Sequence, residues 1–212
     1  MIKSIYEYLD EILPSIDQPI VFELGLSIGM DTIKIVDLCN ENLQFHGFEP
    51  NPVCIDYLKK NGIDKLITLV EAAVGKEEGK TILYQFTDKK DKTDLLSTGP
   101  TSIYKPVSDD ILPWLDCQDH LEVDVISLDT YCKQSKIDHI DFIWADIQSG
   151  EYNMILGAQE ILKSTKYLYM EHLGSKIYEG QKTLEEMAAA LPGNWEMVQK
   201  YPGDAFLKNT EI

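Results

Sequence analysis

Short apolar runs alternate with helical stretches along most of this chain, and that alternation is the tightest constraint on its fold. The runs are IVFEL (20–24), QFHGFE (44–49), LITLVEAAV (66–74), DFIWAD (141–146) and KYLYME (166–171). Between the first three lie GMDTIKIVDLCNE and NPVCIDYLKKNG, and after the fourth comes SGEYNMILGAQEILK. In that last segment Met154, Ile155, Ala158, Ile161 and Leu162 recur at helical spacing and make one buried stripe. Strand, helix and strand in repetition require parallel strands joined by right-handed crossovers, hence a three-layer α/β sandwich. The end of the chain breaks the pattern. There the helical TLEEMAAALPG precedes WEMVQKY, a turn at PGD and AFLK, which together read as a closing antiparallel hairpin.

Residues 75–127 also interrupt the alternation. GKTILYQF and LEVDVISL read as strands on either side of a loop, TDKKDKTDLLSTGPTSIYKPVSDDILPWLDCQDH, that is too long for a simple connection. Its apolar residues Ile103, Tyr104, Ile111, Leu112, Trp114 and Leu115 can pack, so it is expected to form a lid over a binding site. With 212 residues, 44% of them hydrophobic, the chain suits one domain, 1–212, with 75–127 as an insertion.

Charge narrows the function. The formal net charge of −17 repels phosphate backbones and anionic lipid, so neither nucleic acid nor membrane is the expected partner. All 19 basic residues are lysines, and without arginine no planar two-pronged clamp for a carboxylate or phosphate is available. A neutral substrate, or a phosphate held by lysines and backbone amides, is therefore favoured. No apolar run of about 18 residues exists and the N-terminus is an acidic amphipathic helix, so a cytoplasmic protein is expected. Cys39, Cys54, Cys117 and Cys132 have no metal or disulfide spacing and read as reduced thiols, and no residue spacing calls for a metal.

The stretch VFELGLSIGM carries the first strand into its helix, the place where an open α/β sheet binds its ligand. Gly25 and Gly29 would let the backbone approach that ligand, and a side chain at Gly25 is expected to block the ligand without disturbing the fold. A dinucleotide fingerprint needs G-x-G-x-x-G, but Ser27 and Met30 stand at its second and third glycine positions. That argues against a nicotinamide-dependent reductase and for a nucleoside cofactor without a pyrophosphate. Glu49, at the end of the second strand in FHGFEPNP, can accept hydrogen bonds from both ribose hydroxyls.

The order VFELGLSIG, FHGFEPNP, EAAVGKEEGKTILY, SLDTYCKQSKIDHIDFIWADIQSGEYNMILGAQEIL and YMEH resembles the FkbM family of S-adenosylmethionine-dependent methyltransferases over residues 20 to about 172. The resemblance implies the class I methyltransferase fold, a Rossmann-like, seven-stranded sheet of order 3-2-1-4-5-7-6 with strand 7 antiparallel. It implies that Glu23, Gly25 and Gly29 line the methionine moiety, that Glu49 takes the ribose and Ala72 or Ala73 the adenine edge. Asp146 would then stand beside the transferring methyl. Where the family has K-x-D-x-E-G-x-E, this chain has WADIQSGEY, with Trp144 for the lysine and Gln148 for the glutamate.

Transfer to a hydroxyl needs alignment and a base. His172, with an ordinary pKa near 6.5, is the natural base, and Asp146 would orient the acceptor or stabilise the sulfonium. Ser102 and Tyr104 from the lid, with Glu151 and Glu171, are the expected acceptor-binding residues, and His46, His120 and His139 are expected to be structural or exposed. The expected function is O-methylation of a small molecule or glycan, a sugar above all. A module that kept the fold and lost turnover is the alternative of another class.

Overall fold

A computed structural model describes residues 2–39, 42–91, 99–108 and 111–212. Its frame is a seven-stranded sheet of order β3-β2-β1-β7-β8-β10-β9. The strands are β1 (Ile20–Leu24), β2 (Gln44–Phe48), β3 (Thr68–Val70), β7 (Ile140–Ala145), β8 (Thr165–Glu171), β9 (Trp195–Lys200) and β10 (Asp204–Asn209). Counted alone they run 3-2-1-4-5-7-6. β1 lies parallel to both β2 and β7, β7 to β8, and β10 runs antiparallel to β8 and β9. Every residue of β1 and β7 is buried, which is why both read as near-continuous apolar runs, broken only by the buried acids Glu23 and Asp141, instead of alternating ones.

Helices cover both faces. On one, α1 (Ile5–Ile12), α2 (Met30–Leu38) and α3 (Pro52–Lys60) bring Leu9, Ile35 and Leu58 against Val21, Phe142 and Phe206. On the other, α4 (Leu128–Ser135), α5 (Glu151–Leu156) and α6 (Leu184–Ala190) bring Leu128, Met154 and Met187 against Phe22, Leu24 and Ile143. Each fully buried Leu, Ile or Phe contributes about 1.5–3 kcal/mol relative to exposure, so these two layers hold the molecule together. Ser4 starts α1 with a capping box, its hydroxyl accepting from the Glu7 amide while the Glu7 carboxylate accepts from the Ser4 amide at 2.7 Å.

Three expectations change. The run 66–74 is not one strand: β3 ends at Val70, and β4 (Ala73–Val74) leaves the main sheet to pair with Val125 and Ile126 of β6. The helix expected across 150–163 stops at Gly157, whose missing side chain would sit 2.1 Å from the Gly75 carbonyl oxygen, and the chain resumes as a 3-10 turn at Ile161–Ser164. The strands flanking the long loop also extend further than their sequence suggested. β5 (Gly79–Asp88) and β6 (Leu115–Ile126) pair antiparallel and, with β4, form a second sheet of order β4-β6-β5. Of the segment between them, 92–98 and 109–110 lie outside the described residues. Ser102 bridges the β5 edge through two hydrogen bonds with Tyr84, at 2.8 and 3.2 Å. Among the described residues no helix is long and apolar enough to cross a membrane.

Candidate functional site

A cleft of about 290 Å3 opens at the carboxyl ends of β1, β2 and β7, where the turns that follow them meet the second sheet. Gly25 and Ser27 line it from the β1 turn, Phe48, Glu49 and Asn51 from the end of β2, and Ala72 and Ala73 from the β3–β4 corner. Asp146 and Gln148 line it beyond β7, and Gly99 to Ile103 close the side facing β5.

Glycine is required at position 25 for two reasons. Its φ is +88°, and a Cβ there would lie 2.0 Å from the Asp146 carbonyl oxygen. The expectation that a side chain at Gly25 would spare the fold is therefore overturned, because it would strike the β7 turn before any ligand. Gly25 and Asp146 are held together by the sheet's own ladder, the Gly25 amide donating to Phe48 O at 2.9 Å and the Asp146 amide to Leu24 O at 3.0 Å. Gly29 does not line the cleft. It is the N-cap of α2 at φ +77°, where a Cβ would press on Leu58 at 2.9 Å, so it serves the packing of α2 on α3. Glu23 also stands outside the lining: its buried carboxyl accepts from the Thr32 hydroxyl at 2.6 Å, and burial raises its pKa well above the usual range.

Glu49 is buried at the cleft wall, where its two carboxyl oxygens accept from the Ser27 amide at 2.7 Å and the Asn51 amide at 2.8 Å. Burial pushes its pKa up to about 7 against the pull of those two amides. Each oxygen keeps a second lone pair, so the group can still accept two donors from a ligand. Asn51 caps α3, its Oδ1 accepting from the Val53 amide and from Gln85, while its buried Nδ2 has no partner among the described residues. An unpartnered donor beside a fixed acceptor, walled by Phe48, Ala72 and Ala73, fits a nucleoside.

At the other end of the cleft the turn after β7 is tightly built. Gln148 and Ser149, neither of them glycine, both take positive φ, +51° and +77°. Such residues cost about 1–3 kcal/mol each and persist where the surroundings over-determine them. The Gln148 carbonyl accepts from the Ser102 hydroxyl at 2.6 Å. Its side-chain Nε2 donates to Asp146 at 2.8 Å and to Glu171 at 2.9 Å, and its Oε1 lies 3.1 Å from the Tyr178 hydroxyl. Asp146 is open to the cleft yet flanked by protein, and desolvation, with Asp204 and Asp31 adding, raises its pKa. Burial first, then Asp146, Glu151 and Asp204, push Glu171 up to about 9.

The remaining candidates stand behind this wall. Glu151, buried at the start of α5, accepts from the Ile147 amide at 2.9 Å, and burial pushes it up to about 8; it braces the turn and does not reach the cleft lining. The Tyr104 hydroxyl accepts from Asn153 at 2.7 Å outside the lining, so of the two lid residues only Ser102 is at the cleft. His172 is not among the lining residues. Its amide donates to Gly203 O at 2.7 Å, and its Nε2 is buried with no partner among the described residues. His46 pairs with the Tyr131 hydroxyl at 2.8 Å beneath β2, a structural role. Among the described residues no three His, Cys, Asp or Glu side chains converge as metal ligands.

Asn51, Gln148 and Tyr178 are the residues that sequence reasoning missed. The positions of Asn51 and Gln148, each two residues beyond a strand-end acid, were the available signal. Tyr178 offered none.

Residues 24–201 match the family model described as the methyltransferase FkbM domain. A 2-O-methyltransferase, NoeI, of Sinorhizobium fredii is 27% identical over 201 residues, covering 92% of this chain and 81% of that protein. Among solved structures, an FkbM methyltransferase from Methylobacillus flagellatus aligns with TM-score 0.52 at 16% identity, over 90% of this chain; the chain spans 43% of that protein's length. A candidate caffeoyl-CoA O-methyltransferase from Staphylococcus aureus aligns with TM-score 0.51 at 8% identity, over 99% of this chain and 85% of that one. Both structural likenesses are likenesses of fold.

Proposed function

The chain belongs to the FkbM methyltransferase family, with S-adenosylmethionine as its cofactor, and from that premise we propose that it methylates a hydroxyl group of a sugar or sugar-bearing small molecule. The observation that carries this reading is the two-ended cleft, with Glu49 and the unpartnered Asn51 Nδ2 at one end and the Asp146–Gln148 turn at the other. When bound, the cofactor supplies an electrophilic methyl carbon. In this reading Glu49 accepts from both ribose hydroxyls, Asn51 Nδ2 donates to the nucleoside, and Ala72 and Ala73 flank the adenine. Ser102 and Gln148 meet the acceptor, whose hydroxyl is aligned beside Asp146 for in-line attack, an alignment worth several kcal/mol.

A hydroxyl is favoured over an amine because Asp146 lines the far end of the cleft with Glu171 behind it, and burial holds both carboxyl groups above their ordinary pKa, which suits them to take up a proton. A sugar is favoured by the absence of arginine and by the likeness to the Sinorhizobium 2-O-methyltransferase. The test is transfer of a labelled methyl group from S-adenosylmethionine to a panel of sugars, nucleotide sugars, oligosaccharides, phenols and amines. Product with a sugar and none with amines is expected. Methylation of amines alone overturns the proposal.

A further inference from the structure

We propose that Gln148 is a positioning residue that joins Asp146 and Glu171 into one proton-accepting pair, and that this pair, not His172, takes the proton from the acceptor hydroxyl. The inference rests on the O-methylation reading given above.

The geometry is unusual in its economy of donors. An amide nitrogen carries two N–H groups, and both of Gln148's are committed, one to Asp146 at 2.8 Å and one to Glu171 at 2.9 Å. Its oxygen faces the Tyr178 hydroxyl and its carbonyl is fixed by Ser102, so the side chain has a single orientation. A carboxylate at 148 would bring three acids together with no donor among them. The strained backbone at Gln148 and Ser149 fits a turn retained for the position of its side chain.

The charged and titratable groups around the pair are Glu23 from β1, Glu151 from α5, Asp204 from β10, Asp31 from α2, His172 beyond β8, and the hydroxyls of Tyr169 and Tyr178. Carboxyls predominate among them and raise the pair's affinity for a proton, and Asp146 is the member that opens to the cleft. In the transfer, the acceptor oxygen forms the new bond to carbon, the carbon–sulfur pair leaves with sulfur, and the hydroxyl proton passes to Asp146. His172 is poorly placed for this. It lies beyond the end of β8, outside the cleft lining, with its amide held by the Gly203 carbonyl.

Gln148→Met keeps the length of the side chain and removes both donors. On the protein without cofactor, carbon-13 NMR of labelled Asp and Glu carboxyls, assigned with Glu171→Gln, reports the pair directly. The expected result is that Gln148→Met moves the titrations of Asp146 and Glu171 upward together by about one pH unit. Affinity for S-adenosylhomocysteine should stay within about twofold of the parent while kcat falls by about tenfold or more, with the pH–rate profile displaced in the same direction. Carboxyl titrations that do not move overturn the pair. Because the NMR measurement needs no acceptor, it decides the pairing even if no hydroxyl acceptor is methylated, an outcome that would sink the O-methylation reading and the pair's catalytic role with it. Should Gln148→Met fail to fold, Glu171→Gln carries the test: the pH–rate profile must change, and an unchanged profile overturns the proposal.

Discussion

Replacing Glu49 by Gln removes the titration of the cleft wall and one of its acceptor oxygens, and the consequences follow from its surroundings. In the parent protein burial raises this carboxyl from 4.5 to about 7. Ribose hydroxyls donate, so they prefer the ionised form. That form is about one tenth of the population near pH 6 and about nine tenths near pH 8, so affinity for S-adenosylhomocysteine should rise about tenfold across that window. Binding at neutral pH should release a proton. Stability runs the other way. A carboxyl whose pKa is raised by folding contributes stability that is present below about 4.5 and lost as pH rises through about 7. The difference between the two values is worth about 3 kcal/mol, so the pH that strengthens binding weakens the free fold.

In Glu49→Gln the new amide must present its N–H groups to either the Ser27 or the Asn51 amide, donor against donor, costing about 1–3 kcal/mol of stability. Affinity near pH 8 should drop by about tenfold or more, with no remaining slope from this group. Calorimetric titration across the window, in buffers of different ionisation heat, measures affinity and proton release together. A flat parent profile, or a Glu49→Gln profile with the parent's slope, refutes the reasoning.

Gly25→Ala should destabilise the protein by about 2–5 kcal/mol, since it adds both a disfavoured φ and a collision with the Asp146 carbonyl; an unchanged denaturation midpoint would mean the two turns are not in contact. Tyr178→Phe should lower the melting temperature by about 2–4 °C by leaving the Pro100 carbonyl without its donor, and an unaltered thermal scan would count against that hydrogen bond. His172→Ala should retain turnover within about threefold, whereas loss of a general base costs about 10² or more; a loss of that size would return the base role to His172.

The main sheet was legible in the sequence because its signals are local. A near-continuous apolar run such as IVFEL, a glycine turn and a following helix lie within 20 residues of one another, and FEPNP announces both a strand-end acid and the proline start of α3. What escaped depends on residues distant in sequence. The corner at Glu71–Ala72 exists because Ala73 and Val74 find Val125 and Ile126, about fifty positions on. Gly29 looked like a ligand glycine and turned out to be spaced by Leu58 and Ile63. Gln148 read as a departure from a motif, and its role emerges only when Glu171, Tyr178 and Ser102, all remote along the chain, arrive beside it.

The corner between β3 and β4 has a further consequence. Because one short run of chain starts in the large sheet and ends in the small one, the cleft is a seam between two sheets, sewn further by Gln85 on Asn51 and by Ser102 on the Gln148 carbonyl. Glu49, Gly25 and Asp146 lie on the side of the large sheet, while Leu83 and the Ser102 bridge lie on that of the small one. The seam is stitched at Ala72, with Ala73 already paired in the small sheet. Replacing the β5–β6 hairpin would therefore change the wall formed by Leu83 and Ser102 and leave the one formed by Glu49, Gly25 and Asp146 in place.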